Sequence, residues 1–183
     1  MSRLSQISIR LTALALMLAV AGCGLTKSDT IEVACPPLGA LKQADELTRF
    51  KAGPGRDLTD VIYSVKVGRI AGKCEVKQSV ELATIIVGVE LLGERGPAIE
   101  DPRPEIEYFI AVQAPNGEIA ARQAFTLPID FEGGVLASRS LDYLTFKIPG
   151  ASPAALRAYR VYVGLQLTRE EYEFSERARA RAR

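Results

Sequence analysis

The most reactive side chains in this sequence are the thiols of three cysteines, Cys23, Cys35 and Cys74. A deprotonated thiol is a strong nucleophile, so a cysteine can be alkylated, and two cysteines can be oxidised to a disulfide. The chain of 183 residues contains no histidine, which removes the commonest general base and a common metal ligand. The reactive residues therefore favour covalent modification and cross-linking over catalysis.

Paired carboxylates are the other possible source of acid and base catalysis. Asp130 and Glu132 lie two residues apart and are expected on one polar face of an edge strand, where solvation is the ordinary role of such residues. The other closely spaced acids are Asp57 with Asp60, and Glu100 with Asp101. The acids are too dispersed to resemble a calcium-binding loop. We expect no catalytic residue, no metal site and no cofactor, and keep a carboxylate-dependent hydrolase as the alternative.

The amino terminus has the layout of an export signal. Arg3 and Arg10 precede an apolar run at 11–21, which is too short to span a bilayer because a spanning helix needs about 20 apolar residues. The residues Val20-Ala21-Gly22-Cys23 resemble the lipobox of bacterial lipoprotein precursors. In that family the cysteine thiol is alkylated by a diacylglyceryl group, the leader is cut just before the cysteine, and the new amino group is acylated.

The resemblance implies a membrane anchor. Residues 1–22 would be a signal peptide, Cys23 would carry acyl chains that hold the protein on the membrane, and 23–34 would be the lipidated cysteine and a tether. Gly24 stands where the family's inner-membrane retention signal has aspartate, so the resemblance implies the periplasmic face of an outer membrane. The alternative is an ordinary signal peptide followed by an incidental cysteine.

Two cysteines remain after the lipobox, and exported proteins occupy an oxidising compartment. We therefore predict a structural disulfide between Cys35 and Cys74. The alternatives are a redox pair or two free thiols, but a redox pair usually has a Cys-x-x-Cys spacing with a lowered thiol pKa, and neither is indicated here.

Charge excludes one class of partner. The leader holds two of the 23 basic residues and none of the 22 acidic ones, so the remaining chain has a net charge of −1. No broad basic surface for nucleic acid is expected. Both methionines, Met1 and Met17, also belong to the leader, so the mature chain lacks histidine, methionine and tryptophan.

The residues 35–168 are expected to form one β-rich domain, because hydrophobic residues alternate with period two between Pro/Gly turns. The run at 80–92 is apolar on both faces and predicts a central strand covered on each side, and Pro128 predicts an edge strand or a strand with a bulge. The segment 38–50 predicts a short helix or loop. The fold class is therefore all-β, an antiparallel immunoglobulin-like sandwich of about seven strands with short helical segments at its two ends.

The segment 169–183 changes in character. Glu173 and Arg177 stand four residues apart in the order that supports a short helix. Arg179, Arg181 and Arg183 alternate with alanine and indicate either a solvated tail or a contact with anionic lipid or polysaccharide phosphates.

These features together predict a lipid-anchored module of the cell envelope that binds a partner protein or an envelope polymer and is not an enzyme. The alternatives are the hydrolase already named and a carrier of an apolar ligand. The sequence alone does not identify the partner.

Overall fold

The computed structural model describes residues 28–181. The predicted signal peptide, the lipidation site Cys23 and the terminal Arg183 lie outside the described residues. Within 28–181, no helix is long and apolar enough to cross a membrane.

Nine strands and two helices make up most of the described chain. In chain order the strands are β1 (Thr30–Val33), β2 (Leu38–Ala40), β3 (Glu46–Phe50), β4 (Val61–Lys77), β5 (Leu82–Arg95), β6 (Glu105–Gln113), β7 (Ile119–Pro128), β8 (Ala137–Pro149) and β9 (Arg160–Leu165). The helices are α1 (Pro153–Leu156) and α2 (Arg169–Arg181).

The strands form two sheets that pack face to face. In the first sheet the order is β1-β4-β5-β8, and β3 also pairs with β4. The second sheet has the order β2-β9-β6-β7. Neighbouring strands are antiparallel except β2 and β9, which are parallel. The protein is therefore an all-β sandwich, as the alternating sequence predicts.

Strand β5 shows how the pattern of the sequence builds the core. It is a central strand, as predicted, and its inward side chains are fully buried: Ala83, Ile85, Val87, Val89 and Leu91. The opposite face is only partly covered, and Leu92 is 37% exposed. The prediction that both faces are covered is therefore wrong, because the second sheet packs on one face alone.

Strand β4 is the longest strand of the first sheet and pairs with β1, β3 and β5. Its 17 residues span roughly 50 Å at the usual strand rise. The register with β5 shifts between Val67 and Ile70, and the two halves of β4 pair with different neighbours on one edge. Strand β3 pairs with the first half and β1 with the second.

The predicted disulfide is confirmed. Cys35 and Cys74 are bonded, with their Cα atoms 5.2 Å apart. Gly72 lies beside the bridge, where a Cβ would come within 2.9 Å of Leu38. A larger residue at this position would therefore require the Leu38 side chain to move.

A hydrogen bond joins the two sheets at the buried Tyr108 of β6. Its hydroxyl donates to Asp142 Oδ2 of β8 over 2.7 Å. Burial, together with this hydrogen bond, raises the pKa of the Tyr108 phenol. The neutral phenol is therefore the donor at all ordinary pH values.

The predicted number of strands and the predicted amino-terminal helical segment are wrong. The described chain has nine strands instead of about seven, and the difference lies in 38–50, where β2 and β3 replace the expected helix or loop. The spacing of Leu38, Leu41 and Leu47 fits a helix weakly, and sheet pairing overrides so weak a preference. The Leu41 amide donates to Val163 O, and Leu47 is buried in the core.

Two further predicted features of the domain are present. The carboxyl-terminal segment forms α2, and β7, which ends at Pro128, is an edge strand of the second sheet. Proline fits there because its missing N–H leaves no gap in a ladder.

Candidate functional site

A groove of about 650 Å³ opens on the outer face of the first sheet, at the end where β4 begins. Its floor is a row of outward side chains from three paired strands. Thr48 of β3 pairs with Ser64 of β4, and Ser64 pairs with Glu94 of β5. The alternation of each strand turns these polar residues outward while their neighbours enter the core.

The first wall of the groove is the loop 51–60, which is held by an ion pair. Asp60 is 7% exposed, and its Oδ1 lies 2.7 Å from Lys51 Nζ. The Asp57 amide donates to Oδ2 over 3.3 Å. The lysine hydrogen bond and then the amide lower the pKa of Asp60 below its ordinary value. Gly55 packs so closely on this carboxylate that a Cβ would collide with it.

Arg56 fixes the other side of the same loop. Its guanidinium donates to Gly53 O over 2.8 Å, to Gly55 O over 2.6 Å and to Glu170 Oε2 over 2.8 Å. It also lies over the ring of Phe50, 5.4 Å from the ring centre. The loop is therefore tied to β3 and to α2.

This fixed loop presents a leucine to solvent. Leu58 lies in the 3₁₀ turn Leu58–Asp60 and is 86% exposed. At the rim of a groove, such a side chain offers apolar surface that a bound partner can bury.

The second wall of the groove is α2, which packs along β3. Phe174 meets Phe50 edge to face with 4.9 Å between the ring centres. Ser175 Oγ donates to Glu46 O over 3.3 Å, so the helix covers part of the outer edge of β3. A covered edge strand is protected from pairing with other chains.

Glu171 connects the start of α2 to β3. The Thr168 amide donates to Glu171 Oε2 over 2.8 Å, and the Glu171 amide donates to Thr168 Oγ1 over 3.2 Å. This reciprocal pair is a capping box. The other carboxylate oxygen accepts from Arg49 Nε over 2.8 Å.

The charge on Arg49 is preserved by its neighbours. Burial works to lower the pKa of Arg49, but the hydrogen bond to Glu171 and the surrounding acids outweigh burial, so its pKa is raised. The guanidinium lies over the ring of Tyr63, 5.6 Å from its centre. Burial raises the pKa of that phenol.

Of the carboxylate pairs singled out in the sequence, Asp57 and Asp60 belong to the first wall of the groove, whereas Asp130 and Glu132 lie elsewhere. Asp130 and Glu132 follow the end of β7, and each has an oxygen 3.9 Å from Arg103. The Glu132 amide donates to Asp130 Oδ1 over 2.8 Å. The two side chains are therefore close, but they lie in a solvent-exposed turn instead of on a strand.

The arginines of the tail are divided by the structure. Arg179 is 28% exposed, and its two terminal nitrogens lie 2.7 Å from Asp45 and 2.8 Å from Glu176. Arg181 is exposed in the last turn of α2. The charge of Arg179 is already compensated within the protein, which leaves Arg181 as the described residue of the three that is free to face an anionic surface.

The groove combines apolar walls with a polar floor, which is typical of a binding site. In residues 28–181, no group of three or more acids or cysteines is arranged to hold a metal.

Sequence reasoning singled out Asp57 but missed most of the other residues that line this groove. They come from 46–64, 94–97 and α2, and adjacency in space between these segments has no signature in a single sequence. Leu58 offers a weak signal, because an isolated leucine follows the Gly/Pro-rich segment 53–55.

Comparison with known proteins adds no relative. No protein-family model matches the chain, and neither curated proteins nor solved structures give a significant match.

Proposed function

We propose that this protein is an envelope lipoprotein, anchored through Cys23 at the periplasmic face of an outer membrane, whose sandwich binds a partner protein. The anchor is supported by the lipobox resemblance at 20–23, and the compartment agrees with the disulfide between Cys35 and Cys74. The groove beside β3 and α2 is the proposed binding site.

The position of the first described residues supports placing the anchor and the groove at opposite ends of the sandwich. Thr30 pairs with Lys77 at the end of β4, and the Ser79 amide donates to Asp29 Oδ1 over 3.0 Å. We call this the tether end of the sandwich. The groove lies at the opposite end of β4, which we call the groove end, roughly 50 Å away at the usual strand rise. A lipid anchor near the tether end would therefore hold the groove away from the membrane surface.

The proposal includes an immunoglobulin-like arrangement of the sandwich. Two facing sheets of mainly antiparallel strands support it. Strands β2 and β3 are then additions to the seven-strand pattern.

The observation that carries the proposal is the exposed Leu58 on the rigid wall of the groove. A photo-cross-linking amino acid at position 58, in the full chain expressed in intact cells, is expected to give one or a few discrete protein adducts. The same amino acid in place of Val80 is the matched control, because Val80 is 59% exposed at the tether end. Equal adduct patterns at both positions, or none at 58, would refute the binding role of the groove.

The anchor has its own test. Palmitate labelling is expected for the wild-type chain and absent for Cys23→Ser, which should accumulate as an uncleaved precursor. Unlabelled wild-type protein would overturn the lipoprotein assignment while leaving the groove untouched.

A further inference from the structure

The charges and apolar side chains of the groove indicate what kind of ligand fits it. We propose that the groove binds an extended segment of a partner protein in which lysine or arginine alternates with apolar side chains. This inference rests on the proposed binding function and names the chemistry of the partner.

The groove carries more unpaired negative charges than positive ones. Glu46, Asp57 and Glu94 line it, and none of them has an ion-pair partner within 4.0 Å in the described chain. Of the two lining arginines, Arg56 is paired with Glu170, while Arg95 has no such partner in 28–181. The uncompensated side chains are thus three carboxylates against one guanidinium.

One further lysine lies at the border of the groove. Lys66 is opposite Glu46 in the β3–β4 pairing and is exposed. It reduces the negative charge on the β3 side of the floor. Glu94, which pairs with Ser64 on the other side, is not opposite a basic residue on β4. We therefore expect Glu94 to be the stronger attachment point for a cationic side chain.

Both walls of the groove present apolar side chains. Leu58 is 86% exposed on one wall, and the half-buried rings of Phe50 and Phe174 form the other. An extended segment turns alternate side chains to opposite sides, so its apolar side chains can face the rings beside β3 while its cationic side chains face Glu94 on β5, across the floor.

The polar floor between these groups suits a peptide backbone. The hydroxyls of Thr48 and Ser64 make no side-chain hydrogen bond within 28–181 and are free to pair with peptide N–H and C=O groups. The volume of about 650 Å³ lies within the range of roughly 300–1,000 Å³ that is usual for ligand sites.

The walls are held in place before binding. The Lys51–Asp60 pair, Arg56 and the Arg49–Glu171 contact fix the loop and the helix in their positions. A ligand therefore loses little affinity to ordering of the protein.

The test uses two labelled peptides, acetyl-Lys-Leu-Lys-Leu-Lys-amide and the same peptide with glutamate in place of lysine. The full lipidated chain is placed in phosphatidylcholine nanodiscs, with empty nanodiscs as the blank, and binding is followed by fluorescence anisotropy. We expect the lysine peptide to bind at least about tenfold more tightly than the glutamate peptide, since complementary charges select between partners.

Three variants decide whether the groove is responsible. Glu94→Lys and Leu58→Ser are each expected to weaken binding of the lysine peptide about fivefold to tenfold. Glu118→Lys is the matched control: it makes the same change in net charge in the turn between β6 and β7, and it should leave binding unchanged. Circular dichroism checks that each variant is folded.

The outcomes separate this inference from the proposed function. No binding of the lysine peptide, or equal weakening by Glu94→Lys and Glu118→Lys, overturns the cationic partner. If position 58 still cross-links a protein in cells in that case, the binding function stands and only the chemistry of the partner is wrong. Tighter binding of the glutamate peptide would reverse the inference and identify Arg95 as the attachment point.

Discussion

The tether end and the groove end of the sandwich are stabilised by different means. At the tether end a covalent bond, Cys35–Cys74, and the short ladder between β1 and β4 hold the first residues of the described chain. At the groove end the loop 51–60 and α2 are held by ion pairs and a capping box. The first end therefore depends on a covalent link between two segments of the backbone, whereas the second depends on contacts between side chains.

The largest expected effect is at the tether end. The disulfide closes a loop across a sequence separation of 39, so Cys35→Ser is expected to lower the free energy of unfolding by about 3 to 4 kcal/mol. Urea denaturation measures this loss, and wild-type protein treated with reductant should match the variant. Hydrogen exchange should show faster opening of β1 with little change in α2. Equal acceleration at both ends would contradict the division between them.

A smaller effect is expected at the groove end. Glu171→Ala removes the capping box and the partner of Arg49, which should lower the free energy of unfolding by about 2 kcal/mol. Glu173→Ala is the control, because its pairs with Arg169 and Arg177 are exposed and contribute about 0.5 kcal/mol or less. Equal losses in the two variants would show that Glu171 does not position α2.

Acid should loosen the groove end selectively. The pKa of Asp60 is lowered in the folded protein from its ordinary value of 3.8, so its contribution is present above that pH and is lost as the pH falls through the folded value. The sequence has no tryptophan, so Leu58→Trp places a single tryptophan on the loop. Its emission should change below about pH 3.8 in this variant and show no such transition when Asp60→Asn is added. A transition that survives Asp60→Asn would assign the acid response to another group.

The smallest effect on stability is expected at the two exposed side chains. Leu58→Ser and Val80→Ser should each change the free energy of unfolding by less than about 0.5 kcal/mol, since both side chains are largely in water. Thermal denaturation checks this. A large loss of stability in Leu58→Ser would mean that the leucine stabilises the loop and is not simply exposed for binding.

Strands were predictable from the sequence where burial is one-sided and the repeat is long. The alternation in the first half of β4, in β6 and in β9 fixes which side chains enter the core, and Pro128 correctly indicates an edge. Strands β2 and β3 were not predictable, because three to five residues carry too little periodicity and their pairing partners are distant in sequence.

The disulfide could be predicted from the sequence, whereas the groove could not. The disulfide follows from the compartment and from the number of cysteines left after Cys23. The groove depends on the packing of Phe174 against Phe50 and on an ion pair between Lys51 and Asp60. Such contacts between distant segments are decided by the whole fold, so no local pattern announces them.

The parallel pairing of β2 with β9 has a consequence for how the chain acquires its structure. Leu38 of β2 pairs with Val161 of β9, so the second sheet remains incomplete until β9, the last strand of the described chain, has folded into place. Contacts of such long range slow folding, because a large loop must close before they form. The bond between Cys35 and Cys74 can form much sooner and keeps β2 near its final place. An oxidant supplied early, while the carboxyl-terminal part is still arriving, is therefore expected to speed maturation more than one supplied late.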